Sequence, residues 1–336
     1  MMKLLSFASL PRAARVVASV APLVAALAAA IGAPLAFAQS YPAQPVKMIV
    51  GFPPGGTTDV IARLVAQGLS ESLGKSFVVD NRGGASGSIG AGMVAKSAPD
   101  GYTLLMTSST HGTAPSLYAS LPYQEKDFVP VALVASTPYV FVVHPEVKAN
   151  TFAQLITLLK QNPGKYNYAS SSPGTAQHLG GELVKKAAGV DMTHVPYKGT
   201  GALMPDMLSG RVQMMFENIA VMQQHIQKGA VRPLAISSAK RTSLLPGVPT
   251  VAESGVPGFE VLGWFSLLLP AGTPPEIVKL LNSEINQLIV RPAFVQRFAA
   301  LGAEPIASTP EQTGAFIKAE QEKWGKVIRE IGLKAE

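Results

Sequence analysis

The spacing of apolar residues changes abruptly along the first third of the chain. Val46, Met48, Ile49, Val50 and Phe52 form a nearly continuous apolar run, the pattern of a strand buried on both faces. Val60, Ile61, Leu64, Val65 and Leu69 then recur at helical spacing. Between them, Pro53, Pro54, Gly55, Gly56 and Thr57 predict a tight turn into the helix. A helix start leaves backbone N–H groups without intrahelical acceptors, and two glycines let an anion approach them closely. This loop is a candidate carboxylate or phosphate site. The competing reading is an ordinary strand-to-helix connection in which Asp59 stabilises the first helical turn.

The same passage from strand to polar loop recurs downstream. Residues 77–80 predict a second strand that enters a helix through a glycine-rich stretch, residues 81–90. Residues 102–106 predict a third, ending in Thr107, Ser108, Ser109, Thr110 and His111. Residues 129–135 and 139–144 read as two separate strands. A helix follows, begun by the capping box Thr151 to Gln154. From residue 166 the logic repeats: a short strand leads into Ser170, Ser171, Ser172, Pro173, Gly174 and Thr175, then a helix closed by Gly189. This is a second candidate anion loop; a serine-rich surface turn capped by Thr175 is its plainer alternative. Residues 193–199 enter a short helix, and residues 212–216 form a strand ending in Glu217 and Asn218. Thr250 and Glu253 make another capping box, and residues 261–269 are an apolar run through Trp264 long enough to cross between two domains. Three helices complete the chain, the last capped by Thr309, Pro310, Glu311 and Gln312. Strand–helix alternation in two blocks, with a late segment returning to the first, predicts two α/β lobes flanking a cleft.

Composition narrows the function classes. The 336 residues contain no cysteine, which excludes disulfides, thiol nucleophiles and thiolate metal sites. Residues 1–38 carry Lys3, Arg12 and Arg15 ahead of an apolar, alanine-rich run ending in Ala36-Phe37-Ala38, the form of a cleavable signal peptide cut between Ala38 and Gln39. The destination expected is a bacterial periplasm. The formal charge of +7 falls to +4 without those three cations, and the remaining basic residues form no stripe with interleaved aromatics, which argues against nucleic acid. The glycine-rich stretch after the second strand does not match G-x-G-x-x-G, so no dinucleotide cofactor is expected. The five histidines show no metal-binding spacing, no G-x-S-x-G elbow is present, and neither a metal, a cofactor nor a catalytic group is expected.

Residues in order along almost the whole mature chain resemble a known family. They include Tyr41-Pro42, Phe52-Pro53-Pro54-Gly55-Gly56 with Asp59, Asn81-Arg82, Pro99-Asp100-Gly101-Tyr102, Tyr168-Ala169-Ser170-Ser171, His178-Leu179, Val195-Pro196-Tyr197-Lys198-Gly199 and Pro270-Ala271-Gly272-Thr273-Pro274. The chain is similar to the Bug family, the TctC-type substrate-binding proteins of tripartite tricarboxylate transporters. That resemblance implies a non-enzymatic periplasmic receptor with a type II, two-lobe Venus flytrap fold and two crossover strands at the hinge. It places lobe one at residues 39–142 plus 262–336 and lobe two at residues 143–261. It also implies delivery of an organic acid to TctA/TctB-type permease subunits. The alternative role is ligand sensing through a membrane sensor kinase.

The candidate ligand set is Phe52, Pro54, Gly55, Gly56, Thr57, Asp59, Thr107, Ser108, Ser109, Ser170, Ser171, Ser172, Gly174, Thr175, His178, Tyr197 and Glu217. Within it, Asp59 reads more simply as a loop-ordering group and His178 as a packed residue. Ser172, where the family commonly has glycine, is expected to reshape the pocket; Gln213 also departs from the acid often found there. Arg63 reads as an ion-pairing residue, and Trp264 as a core or hinge anchor that could instead line the cleft. Short polar loops suit a dicarboxylate, a tricarboxylate such as citrate, an acidic amino acid or an aromatic carboxylate.

Overall fold

Buried apolar runs become sheet, as expected, in a computed structural model that describes residues 41–334. The expected signal peptide and its expected cleavage point at Ala38/Gln39 lie outside the described residues. From Pro42 onward the chain forms one compact unit.

Strand β1 (Val46–Val50) lies between β2 (Phe77–Asn81) and β3 (Thr103–Ser108), all parallel. Four of the five β1 residues are buried because helices cover the sheet on both faces. One of them, α1 (Thr57–Leu73), buries Ile61, Leu64, Val65 and Leu69 and is closed by left-handed Gly74. Helices α2 (Ser88–Ala95) and α3 (Thr110–Leu117) follow β2 and β3.

The next strand, β4 (Phe128–Val143), corrects the expectation of two strands over residues 129–144. It runs unbroken for 16 residues. Ser136, Thr137 and Pro138 resemble a break in sequence, but Pro138 sits where β4 changes partners, so its missing N–H costs little. Residues 128–138 pair with β9 (Leu262–Pro270), whereas residues 139–143 pair with β7 (Met214–Asn218). β8 (Arg232–Ile236) also pairs with that second stretch. One strand therefore belongs to both halves of a continuous ten-stranded sheet, and the chain crosses back at Val261 and Leu262. Ser237 ties the two crossings together: its Oγ accepts from Tyr139 N at 2.8 Å and donates to Val261 O at 2.6 Å.

The second half repeats the parallel arrangement. β5 (Asn167–Ser170) lies between β6 (Thr193–Pro196) and β7, flanked by α4 (Phe152–Gln161), α5 (Ala176–Ala188), α6 (Thr200–Leu208) and α7 (Ile219–Gln227). Its core centres on Phe141, Phe152, Tyr168 and Phe216, with Phe141 edge-on to Phe216 at 4.6 Å. The Thr250–Glu253 box forms with both reciprocal bonds, but it closes a turn and not a helix. The chain ends in α8 (Pro275–Leu288), α9 (Pro292–Ala300), the two-residue β10 (Glu304–Pro305) beside β4, and α10 (Pro310–Glu330). Helix α10 bridges both halves: Ile317 packs among first-lobe residues, while Trp324 and Ile328 join the second-lobe core.

Candidate functional site

The carboxyl ends of the parallel strands in both lobes open onto one cavity of about 410 Å³. Its first-lobe wall is the loop from β1 to α1. Gly55 adopts φ +87°, which bends the loop there at no steric cost only because the residue lacks a Cβ. The loop is organised from behind by Asp59, 3 % exposed. Its Oδ2 accepts from Gly55 N at 2.9 Å and from Arg63 Nε at 3.0 Å. Its Oδ1 accepts from Asn81 Nδ2 at 2.9 Å, and the same Nδ2 also donates to Phe52 O at 2.9 Å. Burial raises the Asp59 pKa, but the Arg63, Gly55 and Asn81 donors outweigh it, so the carboxyl stays below its ordinary range.

With Asp59 turned back on the loop, the front carries amides. Gly56 caps α1 without a side-chain bond, and the N–H groups of Gly56, Thr57 and Thr58 have no acceptor among the described residues. Each of these donors lies at the positive end of the helix, where a carboxylate gains about 0.3–1 kcal/mol from the dipole alone. Ser108, Ser109 and Thr110, at the start of α3, extend the same wall.

The second lobe contributes two further helix starts. Thr175 caps α5, and Ala176 and Gln177 face the cavity; Gly199 caps α6, followed on the wall by Thr200, Gly201 and Ala202. Between them, at the end of β7, lies Glu217, 2 % exposed. Its Oε2 accepts from Gln177 Nε2 at 2.7 Å and from the Thr200 hydroxyl at 2.9 Å; its Oε1 accepts from Asn218 N at 2.8 Å. Burial pushes this carboxyl up to about 7 despite the three donors. Tyr139, whose phenol is raised by burial and by the nearby Glu217, completes this side with Val221 and Phe265. Among the residues lining the cavity, Lys198 and Glu217 are the only ones with formal charge.

Of the expected residues, Phe52, Pro54, Gly55, Gly56, Thr57, Ser108, Ser109, Ser171, Thr175 and Glu217 line the cavity. Seven lie elsewhere, each for a visible reason. Asp59 is turned back on its own loop, and Thr107 is enclosed within β3 opposite Ser266. Ser170 is fully buried, donating to Ser172 O at 3.0 Å and lying 2.7 Å from His194 Nε2. His178 accepts from Gly174 N at 3.1 Å and stacks on His194 at 3.7 Å, and burial lowers its pKa to about 4. The Tyr197 hydroxyl donates to Asp206 at 2.8 Å.

Ser172 and Gly174 belong to a seam between the lobes. Ser86 Oγ lies 2.7 Å from Ser172 Oγ and 2.8 Å from Tyr118 Oη, and donates to Pro173 O at 2.8 Å. Thr113 donates to Gly174 O at 2.8 Å; a Cβ on Gly174 would strike Leu117. Gln213 is structural, bonded to Asn167 N and Gly210 O. Arg63 pairs with Asp59 within its own helix. Trp264 is 1 % exposed and donates to Glu320, so its strand neighbour Phe265 faces the cavity instead.

The cavity residues outside that candidate set are Pro53, Thr58, Thr110, Tyr139, Ala176, Gln177, Val221, Phe265 and, at the α6 entrance, Lys198 to Ala202 with Met204. The signal available for the last group was the familiar one: a strand, a glycine and a helix start. Among the described residues, no helix is long and apolar enough to cross a membrane, and no group of three or more histidine or acidic residues could hold a metal.

Comparison with known proteins gives the cavity a setting. Residues 61–333 match the model of the tripartite tricarboxylate transporter family receptor. The chain is 45 % identical to BugT of Bordetella pertussis, over 91 % of this chain and 94 % of that one. Among solved structures, it is similar to Rpa4515 of R. palustris, determined with adipate, with TM-score 0.84, 38 % identity, and coverage of 88 % of this chain and 99 % of that one. MatC of Rhodopseudomonas palustris, determined with bound malate, gives TM-score 0.78 and 30 % identity over 86 % of this chain and 100 % of that one. On this match and these identities, the chain belongs to the Bug/TctC family of two-lobe periplasmic solute-binding proteins.

Proposed function

We propose that this chain is an exported receptor that captures a small organic carboxylate between lobe one (39–142 with 262–336) and lobe two (143–261). It then presents the loaded form to TctA/TctB-type permease subunits. The observation that carries the reading is the row of N–H groups at Gly56, Thr57 and Thr58, unpaired at a helix start on the cavity wall. A carboxylate there needs no arginine, because the loop supplies the donors and the helix end the charge. Serine and threonine hydroxyls on both walls leave room for a second polar end on the ligand. Adipate and malate in the related structures support a dicarboxylate. A volume of about 410 Å³ suits a C4–C6 acid with a few waters.

A ligand that touches both lobes favours the closed arrangement by its differential contacts, and a permease that docks only the closed form then distinguishes loaded from empty receptor. The test is a thermal-shift screen of the chain from Gln39 onward against C4–C6 dicarboxylates, citrate, acidic amino acids and aromatic acids. A ligand at 100 times its Kd adds about 2.7 kcal/mol of stability, a shift of several degrees. Gly55→Val, which forces a β-branched residue into a left-handed backbone on the wall, should abolish the shift while leaving the fold largely intact. An unaltered shift in that variant would remove the loop from the site.

A further inference from the structure

The wall of the second lobe holds a buried acid with no cationic partner. Glu217 makes three hydrogen bonds, all from neutral groups: Asn218 N–H, the Gln177 amide and the Thr200 hydroxyl. The titratable and charged groups around it are few. Tyr139 faces it from β4, and Lys198, exposed on the loop before α6, shares the cavity. The remaining neighbours, Val221 from α7 and the residues at the starts of α5 and α6, carry no charge, and no histidine lines the cavity.

Such a group is an obstacle to the anion this cavity is built to hold. Two negative charges a few ångströms apart in a water-poor space repel strongly, and the one without a cation takes up a proton. An ionised carboxylate offers about four acceptor positions, of which three are filled. The remaining one is on Oε1, and a proton there displaces no existing donor. It turns that acceptor position of Glu217 into a donor.

We propose that protonated Glu217 is a direct ligand-recognition group, so that the cavity takes up a dianionic acid together with one proton. This rests on the carboxylate reading of the cavity and narrows it: the preferred ligand is a dicarboxylate whose far end accepts a hydrogen bond from the second lobe. The elevated Glu217 pKa in the ligand-free protein fits this role, because the proton is within easy reach at neutral pH.

The test is calorimetric titration of the chain from Gln39 onward with succinate, malate, glutarate and adipate at pH 8, in buffers of differing ionisation enthalpy. The expected result is net uptake of up to one proton per dicarboxylate bound. Affinity should fall about tenfold per pH unit above 7. Glu217→Gln should remove both the uptake and the pH slope. Binding heat without proton uptake in the wild type overturns the proposal while leaving the carboxylate reading intact. So does an unchanged uptake in the variant. Absence of binding heat from all four acids overturns both. The wild-type measurement decides alone if the variant does not fold.

Discussion

Asp59 and Glu217 are both buried acids beside the same cavity, one in each lobe, and they end in opposite electrostatic states. Asp59 has Arg63, an amide and a backbone N–H, and its carboxyl is held below the ordinary range. Glu217 has as many donors but no cation, and burial wins. At Asp59 the hydrogen bonds, led by that from Arg63, outweigh desolvation; at Glu217 three neutral donors do not. The placement follows the same division. The ionised acid is turned away from the ligand space, where its role is to shape a loop, while the acid that can become neutral stands on the wall.

The largest effect expected from this contrast is on the pH dependence of ligand-free stability. A folded-state Glu217 pKa of about 7 lies above the ordinary 4.5, so folding binds a proton that the unfolded chain releases. Its contribution is fully present below pH 4.5 and is lost as pH rises through 7, a decline of about 3 kcal/mol. Asp59 acts with the opposite sign, since its contribution is lost only on acidification below the ordinary carboxylate pKa of 3.8. Urea unfolding at pH 5 and pH 8 should show wild type losing more stability than Glu217→Gln over that interval. Parallel losses would mean that the two acids do not differ as described.

A smaller effect is expected at the other acid. Asp59→Ala strands the Gly55 N–H, Asn81 and Arg63 together and should cost about 2–3 kcal/mol, read in the same unfolding experiment. Asp59→Asn keeps the shape and should weaken ligand binding little, because the carboxylate lies on the far side of the loop from the cavity. A large loss of affinity in Asp59→Asn, with stability intact, would put Asp59 back among the ligand contacts.

The smallest change concerns the seam that holds the lobes together. Ala85 and Ser86 adopt φ of +46° and +53°, an unusual cost for non-glycine residues, and Ser86 makes three contacts from that conformation. Ser86→Ala should remove about 1 kcal/mol of closed-state stabilisation and weaken every ligand by a similar factor, whatever its chemistry. Unequal losses across a ligand panel would place Ser86 in recognition and not in closure.

The strands, the helix starts and the polar loops were legible because each rests on local chemistry: apolar runs, glycines, prolines and capping hydroxyls. Two strands are read over β4 because Ser136, Thr137 and Pro138 look like a break in isolation, and only the partner change at Tyr139 makes that proline harmless. Which residues face the cavity was harder. Ser170, Ser171 and Ser172 are indistinguishable in composition, yet one supports His194, one lines the cavity and one bridges to Ser86. Tyr139 and Phe265 sit on crossover strands, where alternation defines two faces but not which of them meets the ligand. Lys198 to Ala202 escaped because a single glycine before a short helix is a weaker signal than a run of glycines or serines.

Both tryptophans of the chain converge on one carboxylate. The indole N–H groups of Trp264 and Trp324 donate to Glu320 Oε2 at 3.1 and 2.8 Å, and neither ring lines the cavity. Trp264 belongs to a crossover strand, and Trp324 packs into the second-lobe core from the helix that bridges both lobes. Tryptophan emission should therefore respond to a change in packing between that helix and the second lobe, and not to ligand touching either ring.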